Sequence, residues 1–129
     1  MTIKIVHQKE ISFTKLSGRD LGMAINEKTV GAKKMSLGIF LVHPKTVCKP
    51  CHTHLGVEEV VHILNGEGKV WVDGETAPLK TGDFVFFPEG SKHMIKNESD
   101  KIMTAMFIFA PPTDPSKYVL HPEIDFPEP

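Results

Sequence analysis

Two cysteines among 129 residues cannot staple a small secreted domain, so a disulfide framework is excluded. Charge of one sign is missing too: 15 basic residues stand against 16 acidic ones, for a net charge of −1. That balance supplies no general attraction to nucleic acid or to an anionic membrane surface, and neither partner is expected. No uncharged apolar run approaches the roughly 20 residues of a membrane-spanning helix. The opening Met1-Thr-Ile-Lys-Ile-Val-His7 lacks the basic head, apolar run and small-residue cleavage site of a signal peptide. The setting expected from these absences is a reducing cytoplasm. Tryptophan and tyrosine occur once each, against seven histidines. The histidine count is either chance or a site.

Helical periodicity is also absent. Apolar windows are short, β-branched or aromatic, and bounded by turn residues drawn from ten glycines and ten prolines. Strands are predicted over Ile3–Val6, Ser36–Val42, Glu59–Asn65, Lys69–Asp73, Asp83–Phe87, Met94–Asn97 and Ile102–Phe109. Asp73-Gly74 is a hairpin signal between Val70-Trp-Val72 and Thr76–Leu79. Strands at this spacing without intervening helices indicate an all-β sandwich or barrel. Residues 1–34 read as an N-terminal arm with the first strands, and residues 35–110 as the core of a single domain. Within the arm, residues 14–34 suggest a short strand and a flap, or an arm packed outside. Residues 111–129 hold six of the ten prolines and are expected as extended surface chain.

Chemistry concentrates in Cys51-His52-Thr53-His54-Leu-Gly-Val-Glu58-Glu59. On a strand, His52 and His54 point to one face and Thr53 to the other. Two imidazoles side by side suit a metal that takes neutral nitrogen ligands. A carboxylate follows the bend at Leu55-Gly56-Val57, and the turn Pro88-Glu89-Gly90 leads to a third imidazole, His93. Three neutral histidines and one glutamate would leave a divalent ion with a net charge of about +1 and two open positions in six-coordination.

His52-Thr-His54, four residues, Glu59, six residues, Gly66 resembles the first motif of the cupin superfamily. Gly82, five residues, Pro88-Glu-Gly90, two residues, His93, three residues, Asn97 resembles the second. The matching stretch covers about residues 46–97, with Thr46 standing where the first motif usually has glycine. The resemblance implies a double-stranded β-helix, or jelly roll, of the small single-domain kind with little or no helix. It places one divalent metal ion (Fe, Mn, Zn or Ni) inside the barrel. It carries ligand roles onto His52, His54, Glu59 and His93, with Glu59 preferred to Glu58 by its spacing to Gly66.

Other residues read more plainly. Cys48-Lys-Pro-Cys51 has the spacing of a redox pair, but such pairs usually open a helix and none fits here. His62 has the opposite parity to Glu59, and His7, His43 and His121 lie near turns or ends. Met35, Phe40, Val61, Ile63, Met106 and Ile108 are predicted cavity-lining residues. For acid–base work Glu58, Lys33, Lys34, His43 and Tyr118 are conceivable, with none favoured and no catalytic residue assigned. Asn97-Glu-Ser99 is read as a chance glycosylation sequon. The ligand expected is a small carboxylate, keto or enediol metabolite chelated through two oxygens. A dioxygenase is placed slightly ahead of a non-redox isomerase, lyase or decarboxylase, with a non-catalytic binding cupin as the other class. Small cupins commonly pair, so a homodimer through Ile3–Val6 and Ile11–Phe13 is expected.

Overall fold

The computed structural model describes residues 2–127. Twelve strands form two sheets, every paired strand antiparallel. The first sheet runs β1 (Thr14–Leu16), β2 (Arg19–Ile25), β3 (Ser36–Val42), β11 (Met103–Ala110), β6 (Glu58–Asn65) and β9 (Phe84–Phe87). The second runs β12 (Tyr118–His121), β5 (Cys51–His54), β10 (His93–Asn97), β7 (Glu67–Val72) and β8 (Glu75–Lys80). Short β4 (Thr46–Val47) pairs beside β10. Helix is confined, among the described residues, to single turns, of which α1 (Glu27–Val30) has its N-terminus capped reciprocally by the side chains of Asn26 and Thr29. The chain is therefore a jelly-roll barrel, as expected.

Alternation builds the interior. In β11 the buried residues are Met103, Ala105, Phe107 and Phe109, and in β6 they are Glu59, Val61 and Ile63. All of these but Glu59 meet Phe40, Val42, Val70, Leu79, Phe87 and Ile95 in the main apolar cluster. The β7–β8 hairpin turns on Asp73 (φ 47°) and Gly74 (φ 96°), both left-handed, the geometry that matches the twist of two flanking strands. Gly38 lies where β2, β3 and β11 meet. A Cβ there would run into the Gly22 carbonyl and lie 2.6 Å from the Phe107 ring.

Two stretches depart from the sequence reading. Ile3–Val6 is not a strand but exposed irregular chain, with Ile3 83% and Ile5 69% accessible. β-Propensity reflects packing against neighbours, and this segment pairs with none. Residues 111–127, in contrast, carry β12, which extends the second sheet beside β5. Further on, Phe126 and Ile124 pack on Cys51, Met94, Val47 and Trp71 across that sheet's outer face. The prolines flank β12 rather than interrupt it, so the ladder keeps its donors.

Asn97 ends β10 fully buried. Its Nδ2 donates to the carbonyls of Val42 (3.1 Å), His43 (3.2 Å) and Lys101 (2.7 Å), and its Oδ1 accepts from the Ser99 N–H and Oγ, each at 3.0 Å. The side chain thus locks the β10–β11 turn to the end of β3, and a buried amide is no glycosylation acceptor. Asn97→Ala is expected to lower stability by about 2–3 kcal/mol, because three carbonyls lose a donor where water enters poorly. Urea unfolding midpoints of the two proteins measure it.

Candidate metal centre

Three imidazoles converge inside the barrel. His52 and His54 project inward from β5, and His93 lies directly opposite His52 in the β5–β10 register. One ligand nitrogen from each falls within 4.8 Å of the other two. Ring centroids are 4.7 Å apart for His52–His54, 4.5 Å for His52–His93 and 5.3 Å for His54–His93. The first sheet supplies the opposite wall. There Glu59 of β6 stands between Phe109 and Phe87 in register, so one row presents ring, carboxylate and ring. Phe87 stacks on His93 at 4.1 Å and Phe109 meets His54 edge-on at 4.7 Å, which fixes both imidazole planes.

Glu59 Oε1 lies 3.4 Å from His54 Nε2 and 3.2 Å from His93 Nε2. Glu58, its neighbour in sequence, is exposed on the other face. His52 has its Nδ1 beside the Pro50 carbonyl at 3.0 Å, which selects the Nδ1–H tautomer and leaves Nε2 as a free lone pair. Burial first, then the neighbouring imidazole charge, pushes His52 down to about 3 and His54 down to about 2. Neutral imidazoles are ligands rather than counter-ions. Yet Glu59 Oε1 is buried without a hydrogen-bond partner, and so are Nδ1 of His54 and His93. A carboxylate so placed is costly unless a cation satisfies it. The three histidines could hold a metal ion, and the unpaired carboxylate beside them fits one.

The same shifts carry a pH consequence for the metal-free protein. The unfolded chain takes up protons on these two histidines near the ordinary 6.5, whereas the folded chain refuses them down to about 3 and 2. Stability is therefore expected to fall as pH drops below that ordinary value, by about 1.4 kcal/mol per pH unit for each imidazole. Melting temperatures of chelator-treated protein between neutral and acid pH measure the slope.

The cluster opens into a cavity of about 510 Å³. Its walls include Leu21, Phe40, Val61, Phe107 and Phe109, with Thr14, Leu16, Ser17 and Arg19 from the β1–β2 hairpin and Tyr118 from β12. Of the expected lining, Phe40 and Val61 are present. Met35 is instead 46% exposed, Ile63 is sealed in the core, and Met106 and Ile108 face away from the cavity that Phe107 and Phe109 line. Among the acid–base candidates only Tyr118 lies on the wall. It sits opposite His54 in register, with ring centroids 4.4 Å from His54 and 6.2 Å from His52. Burial, then the charge of Glu59, raises its phenol above the ordinary range while Arg19 opposes them, so it keeps its proton.

The remaining candidates serve the fold. His43 pairs with Asp20 at 3.1 Å, and His62 stacks on Phe84 at 3.9 Å on the outer face. His121 bonds Thr53 Oγ1 through Nε2 at 2.9 Å and ties β12 to β5. Cys48 and Cys51 are free and buried on different sides of the second sheet, and desolvation holds the Cys48 thiol up at about 11. Such a thiol is protonated and unreactive at neutral pH.

A jelly roll with an inward histidine cluster defines the class, and the sequence families agree. The chain belongs to the cupin family, whose domain model matches residues 38–109. It is 30% identical over 111 residues to the polyketide synthase CurC of Streptomyces cyaneus, covering 86% of this chain and 71% of that protein. It is 31% identical over 77 residues to the L-ectoine synthase of Aliivibrio fischeri, covering 57% of this chain and 60% of that one. Its fold matches the polyketide cyclase RemF of Streptomyces resistomycificus with a TM-score of 0.74 at 21% identity, over 88% of this chain and 83% of that one.

Proposed function

We propose that this protein is a metal-dependent enzyme whose substrate is a small molecule bound through two adjacent oxygens. The reaction proposed is proton transfer without net oxidation: isomerisation, dehydration or ring closure with loss of water. His52, His54, Glu59 and His93 would hold a divalent ion, which when bound polarises the substrate oxygens as a Lewis acid. The observation that carries the reading is the convergence of three imidazoles and an unpaired carboxylate in an apolar cavity. Phe87 and Phe109 orient the imidazoles, and the apolar wall excludes water. Tyr118 lines the cavity beside His54 and keeps the proton on its Oη, which a leaving or enolic oxygen could take. This role, and the polyketide-related names of CurC and RemF, favour proton transfer over the dioxygenase reaction that the sequence placed first.

The two chemistries differ in oxygen demand. In D2O without oxygen, metal-loaded protein is expected to catalyse exchange of the C3 protons of 2-oxobutanoate, read by proton NMR, and in air it should consume no oxygen. Metal-dependent oxygen uptake matched to loss of a diketone or catechol substrate, with no exchange, would establish the dioxygenase reading instead.

A further inference from the structure

Arg19 opens β2 half-buried on the cavity wall, and none of the chemistry above uses it. Its Nη1 donates to the Ser17 carbonyl at 3.1 Å, which leaves most of a five-donor fork unused. Among the described residues no carboxylate lies within ion-pair distance of it. The adjacent Asp20 is engaged with His43. Lys49, the other cation on the wall, is half exposed and reaches towards Asp125 at 4.0 Å. Thr14 and Ser17 of the same hairpin add two hydroxyl side chains to this stretch of wall. The rest of the wall is mainly apolar, so the hairpin forms a polar, cationic edge. A partly exposed guanidinium with no acid beside it is free to take an anion that enters the cavity. Its planar fork matches a carboxylate with two parallel hydrogen bonds.

We propose that Arg19, with Thr14 and Ser17, forms a carboxylate-binding subsite, so that the substrate is an acid held by its carboxylate at the β1–β2 hairpin. This rests on the chelation reading above, with the paired oxygens engaged at the histidine cluster. The test uses protein loaded with zinc, which does not oxidise the probes, and calorimetric titration with matched catechols. Two carry a carboxylate, 3,4-dihydroxyphenylacetate and 3-(3,4-dihydroxyphenyl)propanoate, and one does not, 4-ethylcatechol. At least one acid is expected to bind about tenfold or more tighter than 4-ethylcatechol. Arg19→Gln should abolish that preference while leaving zinc content and 4-ethylcatechol binding unchanged. Arg19→Lys should keep only part of it, and serves alone if Arg19→Gln does not fold. Equal binding of all three probes to the natural protein, or a preference undiminished in the Arg19 variants, overturns the subsite. Failure of every catechol to bind while zinc stays in place overturns the chelation reading beneath it.

Discussion

His93→Ala is expected to reduce metal affinity by well over the 10–100-fold typical of losing a residue behind the ligands. His93 is one of three converging nitrogens and faces Glu59 Oε1 at 3.2 Å, so its loss opens one side of the cluster. The ring also fills space against Phe87, and a cavity there costs stability by itself. His93→Gln, which fills more of that space, separates the two effects: it should melt closer to the natural protein yet still bind metal poorly. His52→Ala should behave like His93→Ala, because His52 presents Nε2 with its tautomer set by Pro50. Elemental analysis after dialysis against a weak chelator reads the outcome. Metal retained in full by both alanine variants would remove these residues from the ligand set.

Tyr118→Phe is the second large effect. The change deletes one oxygen and keeps the ring that packs on His54, so fold and metal content should be unaffected. Loss of a positioned general acid lowers kcat by about 100- to 10,000-fold, with a much smaller change in KM. The acidic limb of the pH–rate profile belongs to other groups and should persist, while the alkaline limb, set by ionisation of a phenol raised above its ordinary range, should vanish. An unchanged kcat would reduce Tyr118 to a wall residue.

The contrast between these two residues explains what the sequence could reveal. His52 and His54 are neighbours on one strand, and parity alone makes them face together. Adding His93 required recognising a strand entered from the Pro88-Glu-Gly90 turn, and the structure places it opposite His52. Strands such as β3, β6 and β11 were legible because their residues are β-branched or aromatic over long runs. In β11, however, Met103, Met106, Phe107, Ile108 and Phe109 are apolar at both parities. Alternation therefore could not say which face was inward, and Met106 and Ile108 were assigned to the wrong side. Tyr118 stood among the acid–base candidates, but its strand was hidden by composition: Tyr118-Val-Leu120 has strand character, but proline-rich flanks suggested a tail. Its pairing with β5 is long-range, and no local signal reports it. Arg19 begins β2, whose place in the sheet depends on pairing with β3, which leaves nothing in its own neighbourhood to mark it.

The four candidate ligands are divided between the two layers of the molecule. His52, His54 and His93 belong to the second sheet, and Glu59 to the first. An ion held by all four is thus a cross-link between layers joined besides by apolar contact, connecting chain and the Asn97 hydrogen bonds at one end. At a free metal concentration a thousand times its dissociation constant, such a cross-link adds about 4 kcal/mol to the folded state. That is a large share of the roughly 5–15 kcal/mol by which a domain is stable at all. Cohesion of the barrel and readiness for chemistry then become one equilibrium, and a cell short of the ion would lose folded protein along with activity.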